Sequence, residues 1–365
     1  MVTSAIIIGG GVAGASAALQ LAKRQIPVTL LERERSAHDK VCGEFLSTEA
    51  CQELAHVGMD LASLGGLAID RVRVCFGTQS AQCALPFPAW SISRRVLDDA
   101  MLSAAALAGA EVVRGVRVTG LRGKTVVASD GEREAGAVFL ATGKHDLRGL
   151  PRARGARLSR HDYVGLKMHW ELPATAAREL GAAIELVLFD GGYAGLQPIG
   201  GGKANLCLVV RREHLAGDVD ALFERLLREP ALSSKLAHAR PLFSRPLAIS
   251  NLPYGFVHRP EADAAPVLWR LGDQAAMTAS LTGDGMAMAL RSARMATDHL
   301  SAGKSSESYH QAMAMHCQAQ VRRAMRLQRL AELPFALRGA MLLARLYPGL
   351  LAYAAAATRL PPLAA

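Results

Sequence analysis

Three glycines at fixed spacing are the first residues in the chain that can do chemistry. Gly9, Gly11 and Gly14 form Gly-x-Gly-x-x-Gly directly after the apolar run Ala5-Ile6-Ile7-Ile8. Gly9 permits a tight turn, Gly11 lets a pyrophosphate approach the backbone, and Gly14 lets a helix pack close to a sheet. Val12 and Ala13 open that helix, whose free N–H groups and positive dipole end face the phosphates. At the ~20-residue offset that such a unit needs, a second apolar run over residues 28–31 ends on Glu32. Its carboxylate can accept hydrogen bonds from ribose hydroxyls. Glu32 and its neighbour Arg33 are the candidate contacts at the adenosine end. The unit binds an adenine dinucleotide, and by itself does not say whether FAD or NAD.

The elements that must position this chemistry follow from the pattern. Residues 15–24 are an alanine-rich helix between two strands, a βαβ unit. Residues 69–76 alternate apolar and polar as a strand does, whereas Pro86 and Pro88 are expected to keep residues 85–90 out of any central strand. A helix is expected over 96–109, strands over 111–118 and 125–128, a hairpin turn at Asp130-Gly131, and a buried strand over 137–141 that ends at Thr142-Gly143. Between 156 and 252 strands dominate, at 164–172, 183–189, 193–198 and 203–210, followed by a helix over 219–229. A last buried strand over 266–271 ends at Gly272-Asp273, a helix runs from Asp284 to His299, and residues 307–357 are helical with breaks at Pro334 and Pro348. This predicts an α/β fold: a Rossmann-like dinucleotide domain with a mixed sheet, an inserted α+β domain with an antiparallel sheet, and a helical C-terminus. The expected division is residues 1–75, 94–155 and 255–325 for the first domain, 76–93 and 156–254 for the inserted substrate domain, and 326–365 for the helical segment.

Three glycine-marked sites therefore sit at strand ends: Gly9 to Gly14, Ala141-Thr142-Gly143 and Gly272-Asp273. Their order resembles the FAD-dependent oxidoreductases of the para-hydroxybenzoate hydroxylase type, and within them most closely the geranylgeranyl reductase family, over residues 1 to about 320. Cys42-Gly43-Glu44 matches the family's Cys-Gly segment near the flavin. Arg94-Arg95-Val96-Leu97-Asp98 matches its Arg-x-x-Phe-Asp helix start. Gly272-Asp273-Gln274-Ala275-Ala276 with Gly283-Asp284-Gly285-Met286 matches its Gly-Asp-Ala-Ala and Gly-Glu-Gly-Ile segments. Tyr193-Ala194-Gly195-Leu196-Gln197-Pro198 is similar to its Tyr-x-Trp-x-Phe-Pro segment, with Gly195 in place of the tryptophan.

The resemblance implies FAD as resident cofactor. A single Gly-x-Gly-x-x-Gly agrees, because a nicotinamide donor would then have no Rossmann domain of its own. Asp273 would accept hydrogen bonds from the ribityl chain, or else cap a turn. Gly283, Gly285 and Met286 would bring a helix N-terminus to the anionic end of a reduced flavin. Arg94 would meet the pyrophosphate, with Arg95 as its competitor and a solvated charge as the plain alternative. Cys42 would lie near the isoalloxazine, tuning it, supplying a proton or simply packing. Glu44 and Asp284 are candidate proton donors, as is Tyr193. His161 and His169, which lie in the inserted domain with Tyr193, are assigned no role.

Composition narrows the partners. The chain has 365 residues, half of them hydrophobic, and a net charge of +10. Its basic residues are scattered, which excludes a nucleic-acid stripe. The six cysteines form no CxxC and no metal spacing, so no metal is expected and the thiols fit a reducing cytosol. The apolar N-terminus lacks a basic leader and reads as a strand rather than a signal peptide. Residues 333–360 are rich in Leu and Ala with Arg338, Arg345 and Arg359 interspersed, a pattern that can lie on an anionic membrane or cap a cavity. The expected location is cytoplasmic, with peripheral membrane contact through these helices.

Three activities remain. The first is reduction of carbon–carbon double bonds in a lipophilic small molecule, with NAD(P)H docking transiently or a redox partner supplying electrons. The second is a monooxygenase acting on an aromatic or polyketide-like substrate, and the third a flavoprotein electron carrier. Residues 276–281 lack the His and Pro of many hydroxylases, and no Trp-x-Trp-x-x-Pro marks a halogenase.

Overall fold

The computed structural model describes residues 4–152, 163–215, 219–260 and 267–362; His161 lies outside them. Among the described residues the strands form three sheets. The first is fully parallel, in the order β17 (Leu268–Arg270), β10 (Ala137–Leu140), β1 (Ala5–Ile8), β2 (Val28–Glu32), β6 (Glu111–Arg114). Its strands are short and apolar because both faces are covered. Ala5 and Ile7 pack on helices α1 (Val12–Lys23), α3 (Arg94–Leu107) and α7 (Gly285–Ser301), while Ile6 and Ile8 pack on the opposite side. There a small antiparallel sheet, β7 (Val118–Arg122), β8 (Thr125–Ala128) and β9 (Gly131–Glu134), closes the layer. The single strand expected over 111–118 is split, because Gly115 turns at φ +78° and sends the chain from one sheet to the other.

The nine-stranded sheet is two-faced. Its order is β15 (Arg240–Pro241), β11 (Tyr163–Glu171), β14 (Lys203–Arg211), β13 (Gly192–Gly200), β12 (Ala183–Phe189), β4 (Leu67–Phe76), β5 (Gln79–Ser91) and β3 (Phe45–Leu46), with β16 (Leu247–Ile249) beside β11. Every pair is antiparallel except β12 with β4. Strand alternation sends Leu166, Met168, Leu196, Leu206 and Leu208 into a core with α4 (Ala174–Leu180), α5 (Val219–Leu226) and α6 (Pro230–Leu236). The alternate residues, such as Val72, Val74, Leu186, Tyr193 and Val209, face a cavity on the other side.

Two expectations change here. Strand β4 joins this sheet, so the boundary expected at 75/76 falls instead before Leu67, and β3 adds Phe45 and Leu46 to the same sheet. Strand β5 also runs through Pro86 and Pro88. Pairing with β4 jumps from Ala84 opposite Arg71 to Ala89 opposite Ile69, and β3 pairs only with Trp90 and Ser91. The prolines therefore sit in a bulge, where a missing N–H costs no ladder bond.

The first domain is finished by α2 (Thr48–His56) and α8 (Ser306–Ala331). Helix α8 is continuous across residue 326, where the helical segment was expected to begin. Beyond it, α9 (Pro334–Leu346) and α10 (Gly349–Ala357) lie on β4 and β5. The layers are pinned by a buried ion pair, Arg291 Nε to Glu53 Oε1 at 2.5 Å, between α7 and α2. Glu53→Ala would leave the Arg291 guanidinium buried and short of its carboxylate. A loss of about 3–5 kcal/mol is expected, read as a lowered thermal midpoint and chemical denaturation midpoint.

Candidate active site

One cavity of about 930 Å³ runs from the first glycine turn to the C-terminal helices. Gly9, Gly11, Val12, Ala13, Glu32, Arg33, Cys42, Gly43, Arg94, Ala141, Gly143, Gly272, Asp273, Gly283, Gly285 and Met286 all border it. Gly14 does not. A Cβ there would sit 1.9 Å from the Gly9 carbonyl oxygen, so Gly14 is the contact that lets α1 close on the turn.

The glycine-rich end is built for a dinucleotide. At Gly11 an added Cβ would meet nothing closer than Arg94 Nη2 at 3.5 Å and Lys40 Nζ at 3.7 Å, so two cations flank an open stretch of backbone at the start of α1. Both are held by Asp98: Arg94 Nε donates to Oδ1 at 2.8 Å, and Lys40 Nζ lies 2.9 Å from Oδ2. Burial pushes the Asp98 carboxyl up, but Arg94 and Lys40 outweigh it and hold it below the usual range. Two cations on one carboxylate leave a net positive charge for a pyrophosphate. Glu32 accepts the Gly10 N–H at 2.6 Å and the Glu34 N–H at 2.9 Å, one on each oxygen. Each oxygen keeps a lone pair for a ribose hydroxyl. At the far end the N-terminus of α7 meets the cavity through Gly283, Gly285 and Met286. The residues present fit FAD along its length.

Lys40 is a contact that sequence reasoning missed. It closes a polar loop of mixed charge, and only the fold brings it beside Arg94. Arg95, the competitor for Arg94, is exposed and does not border the cavity.

The segment Cys42-Gly43-Glu44 crosses the middle of the cavity wall. Asn205 Nδ2 donates to the carbonyls of Cys42 (3.0 Å) and Gly43 (2.9 Å). Glu44 is fully buried at φ +60°. Its Oε1 accepts from the Arg94 N–H at 2.7 Å and from Lys167 Nζ at 2.6 Å, and its Oε2 lies 2.9 Å from His169 Nε2. Burial raises its pKa, yet His169 and Lys167 together carry it below the ordinary carboxylate value. Glu44 is thus held ionised, which overturns its expected role as a proton donor. Ligand atoms of Asp39, Glu44 and His169 lie within 4.8 Å of one another, a spacing that could suit a metal. The Lys167 ammonium takes that place, 3.5 Å from Asp39 Oδ1 as well.

Asp284 is also corrected. It flanks the two cavity glycines but points behind them, to Gln320 Nε2 at 2.9 Å and Arg359 Nη1 at 2.7 Å. Burial outweighs Arg359 and pushes its pKa up to about 7, but its side chain does not border the cavity. Tyr193 does. Its hydroxyl is buried, with Ser280 beside it, and burial pushes its pKa well up. Nearby, Tyr254 Oη and Ser280 Oγ are 2.5 Å apart. Cys42 and Cys207 border the same junction, and burial holds the Cys207 thiol at about 12.

A parallel Rossmann-type sheet, with a glycine turn, an acid at the second strand and a helix N-terminus at the far end, defines a dinucleotide-binding flavoenzyme fold. The protein is an FAD-dependent oxidoreductase. Residues 4–41 match a family model described as FAD dependent oxidoreductase. The chain is similar to a menaquinone reductase of Mycolicibacterium smegmatis, 27% identical over 332 residues that span 82% of this chain and 76% of that protein. Solved structures that share the fold include two flavoprotein-type neighbours. A flavoprotein/dehydrogenase from Cytophaga hutchinsonii superposes with TM-score 0.74 at 16% identity, covering 90% of this chain and 86% of that one. A geranylgeranyl bacteriochlorophyll reductase-like protein from Thermoplasma acidophilum superposes with TM-score 0.69 at 18% identity, covering 97% and 98%.

Two outcomes test this site. Gly11→Ala is expected to keep its apoprotein melting temperature, because its methyl makes only ordinary van der Waals contact with the ends of two flexible side chains, yet to bind FAD at least about tenfold more weakly. Gly14→Ala is expected to lose both stability and flavin absorbance. Separately, the folded chain keeps a proton on Asp284 between 3.8 and about 7 that the unfolded chain has lost. Stability should therefore fall as pH rises through that window. Asp284→Asn should flatten the decline in melting temperature measured against pH.

Proposed function

We propose that the protein reduces carbon–carbon double bonds in a long apolar molecule of the isoprenoid kind. The observation that carries this reading is the continuity of the cavity. Beyond the glycine-lined end it becomes an apolar passage between one face of the nine-stranded sheet (Val72, Val74, Ile184, Leu186) and the inner side of α9 and α10 (Leu337, Met341). A polar substrate would lose its hydration there without compensation, whereas an aliphatic chain gains about 25 cal/mol per Å² of area buried. The relative named a menaquinone reductase and the fold neighbour named geranylgeranyl reductase-like support the same substrate class, since both names refer to molecules with isoprenoid chains.

Reduced FAD, when bound, would supply the hydride. Saturating the double bond then needs one proton at the neighbouring carbon. Tyr193 borders the cavity and would give it: its hydroxyl stays protonated because burial disfavours the phenolate, an effect that outweighs its hydrogen bond with Ser280. Ser280 and Tyr254 beside it can return the proton. Cys42 borders the same junction as a second donor. Gly195, two residues along the strand from Tyr193, borders the cavity without a side chain, and an added Cβ would meet nothing nearer than 3.8 Å. Electrons reach the flavin from NAD(P)H docking transiently or from a redox partner protein.

Under anaerobic conditions, reduced holoprotein offered menaquinone and geranylgeranyl compounds should give a product heavier by two hydrogens, a gain that persists after any quinol is reoxidised in air. A product heavier by one oxygen, formed only in air, would establish a monooxygenase instead. Tyr193→Phe should lower kcat about 100-fold with little change in KM or flavin absorbance. Unchanged kcat would remove Tyr193 as donor.

A further inference from the structure

Helices α9 and α10 are apolar on both sides. Their inner side carries Leu337, Met341, Ala344 and Leu351, which meet the sheet and the cavity. Their outer side carries Leu342, Leu343 and Leu346 on α9, Tyr347 at the bend, and Leu350 and Tyr353 on α10, each between 48% and 73% exposed. A helix apolar all round is ordinarily buried, and a patch of adjacent exposed Leu and Tyr marks a surface that something covers.

Charge identifies what covers it. Residues 333–362 contain no acid. Arg338 and Arg345 on α9 are exposed, as are Arg322, Arg323, Arg326 and Arg329 along α8. Arg323 Nη1 reaches the Ala357 carbonyl at the end of α10, so the cationic helix runs beside the apolar pair. Two acids near these helices are engaged within the protein: Glu332 with Arg211 and Tyr163, and Asp284 with Arg359 and Gln320. An apolar patch with tyrosines and an arginine border matches the headgroup zone of an anionic bilayer. A second copy of this chain would bring the same cations against one another.

Geometry says that the pair lies on the bilayer. Among the described residues no single helix is long and apolar enough to cross a membrane, and α9 and α10 meet at 115°. Their lengths are about 20 Å and 14 Å at 1.5 Å per residue, short of the ~30 Å hydrocarbon core, and their inner sides are already occupied by the sheet. We propose that α9 and α10 form an interfacial anchor that seats the enzyme on anionic membranes and roofs its cavity, so that a lipid substrate enters directly from the bilayer. The entry route rests on the reductase reading, whereas the anchoring stands without it.

The test uses the full-length holoprotein and vesicles, and reads binding without turnover, so failure of the anchor and failure of the proposed reaction are separable. Flotation with phosphatidylcholine vesicles containing phosphatidylglycerol should recover bound protein, with at least about tenfold weaker partitioning onto pure phosphatidylcholine and loss of binding in high salt. Leu342→Ser with Leu346→Ser, both outward-facing and outside the cavity wall, should weaken binding at least about tenfold while flavin absorbance and melting temperature are kept. Arg338→Glu with Arg345→Glu should do the same by charge alone. Wild-type protein that stays unbound on anionic vesicles, or variants that bind as well as wild type, would overturn the anchor. So would a lipid-free dimer that the leucine substitutions dissociate while vesicle binding is unaffected.

Discussion

The buried carboxylate of Glu44 joins the two halves of the molecule. It sits in the left-handed region, an uncommon place for a residue with a side chain, and such backbone persists only where its surroundings over-determine it. Here they do. The N–H of Arg94, at the start of α3 in the dinucleotide layer, donates to one oxygen, and Lys167 and His169 from the nine-stranded sheet meet both. A fully buried ion pair is costly to desolvate and contributes mainly when every lone pair is engaged. What this network achieves is position. It fixes the Cys42-Gly43 backbone at the meeting point of the two sheets, with Asn205 holding the same carbonyls.

That junction also divides the cavity by chemistry. On one side lie glycine backbones, Glu32, Lys40 and Arg94, suited to a charged dinucleotide. On the other lie branched aliphatic side chains from the sheet and the C-terminal helices. Between them lie the polar groups Tyr193, Ser280, Tyr254, Cys42 and Cys207. Burial in an apolar wall keeps Tyr193, Tyr254 and Cys207 neutral, so proton-bearing groups gather where the glycine-lined end of the cavity meets its apolar end.

Much of this was legible in the sequence, and the failures are instructive. The glycine turn, the acid at Glu32 and the glycine-marked strand ends 141–143 and 272–273 carry local signatures, and all converge on one cavity. Lys167 and His169 had none. They alternate with Val164, Leu166, Met168 and Trp170, so periodicity reads their face as solvated. The loop through Asp39 and Glu44 covers that face, and no strand pattern announces a loop folding back. Asp284 failed for a similar reason. Its neighbours Gly283 and Gly285 do reach the cavity, but Gln320 and Arg359, far along the chain, turn its carboxylate the other way. The proline-marked strand was underestimated because a bulge can absorb prolines that a regular ladder rejects.

The parallel pairing of β12 with β4 bears on how the chain is made. Strands β4 and β5 leave the ribosome as a hairpin, but β12 follows β4 only after about a hundred further residues, or several seconds to tens of seconds of translation. Over that interval the nascent hairpin presents an open edge, the kind of surface that recruits other strands. The dinucleotide layer waits longer still, since β17 and the glycines before α7 are synthesised after the entire nine-stranded sheet. Flavin loading is consequently a late event in biogenesis, and productive synthesis depends on keeping a half-built sheet apart from its neighbours until its final strands arrive.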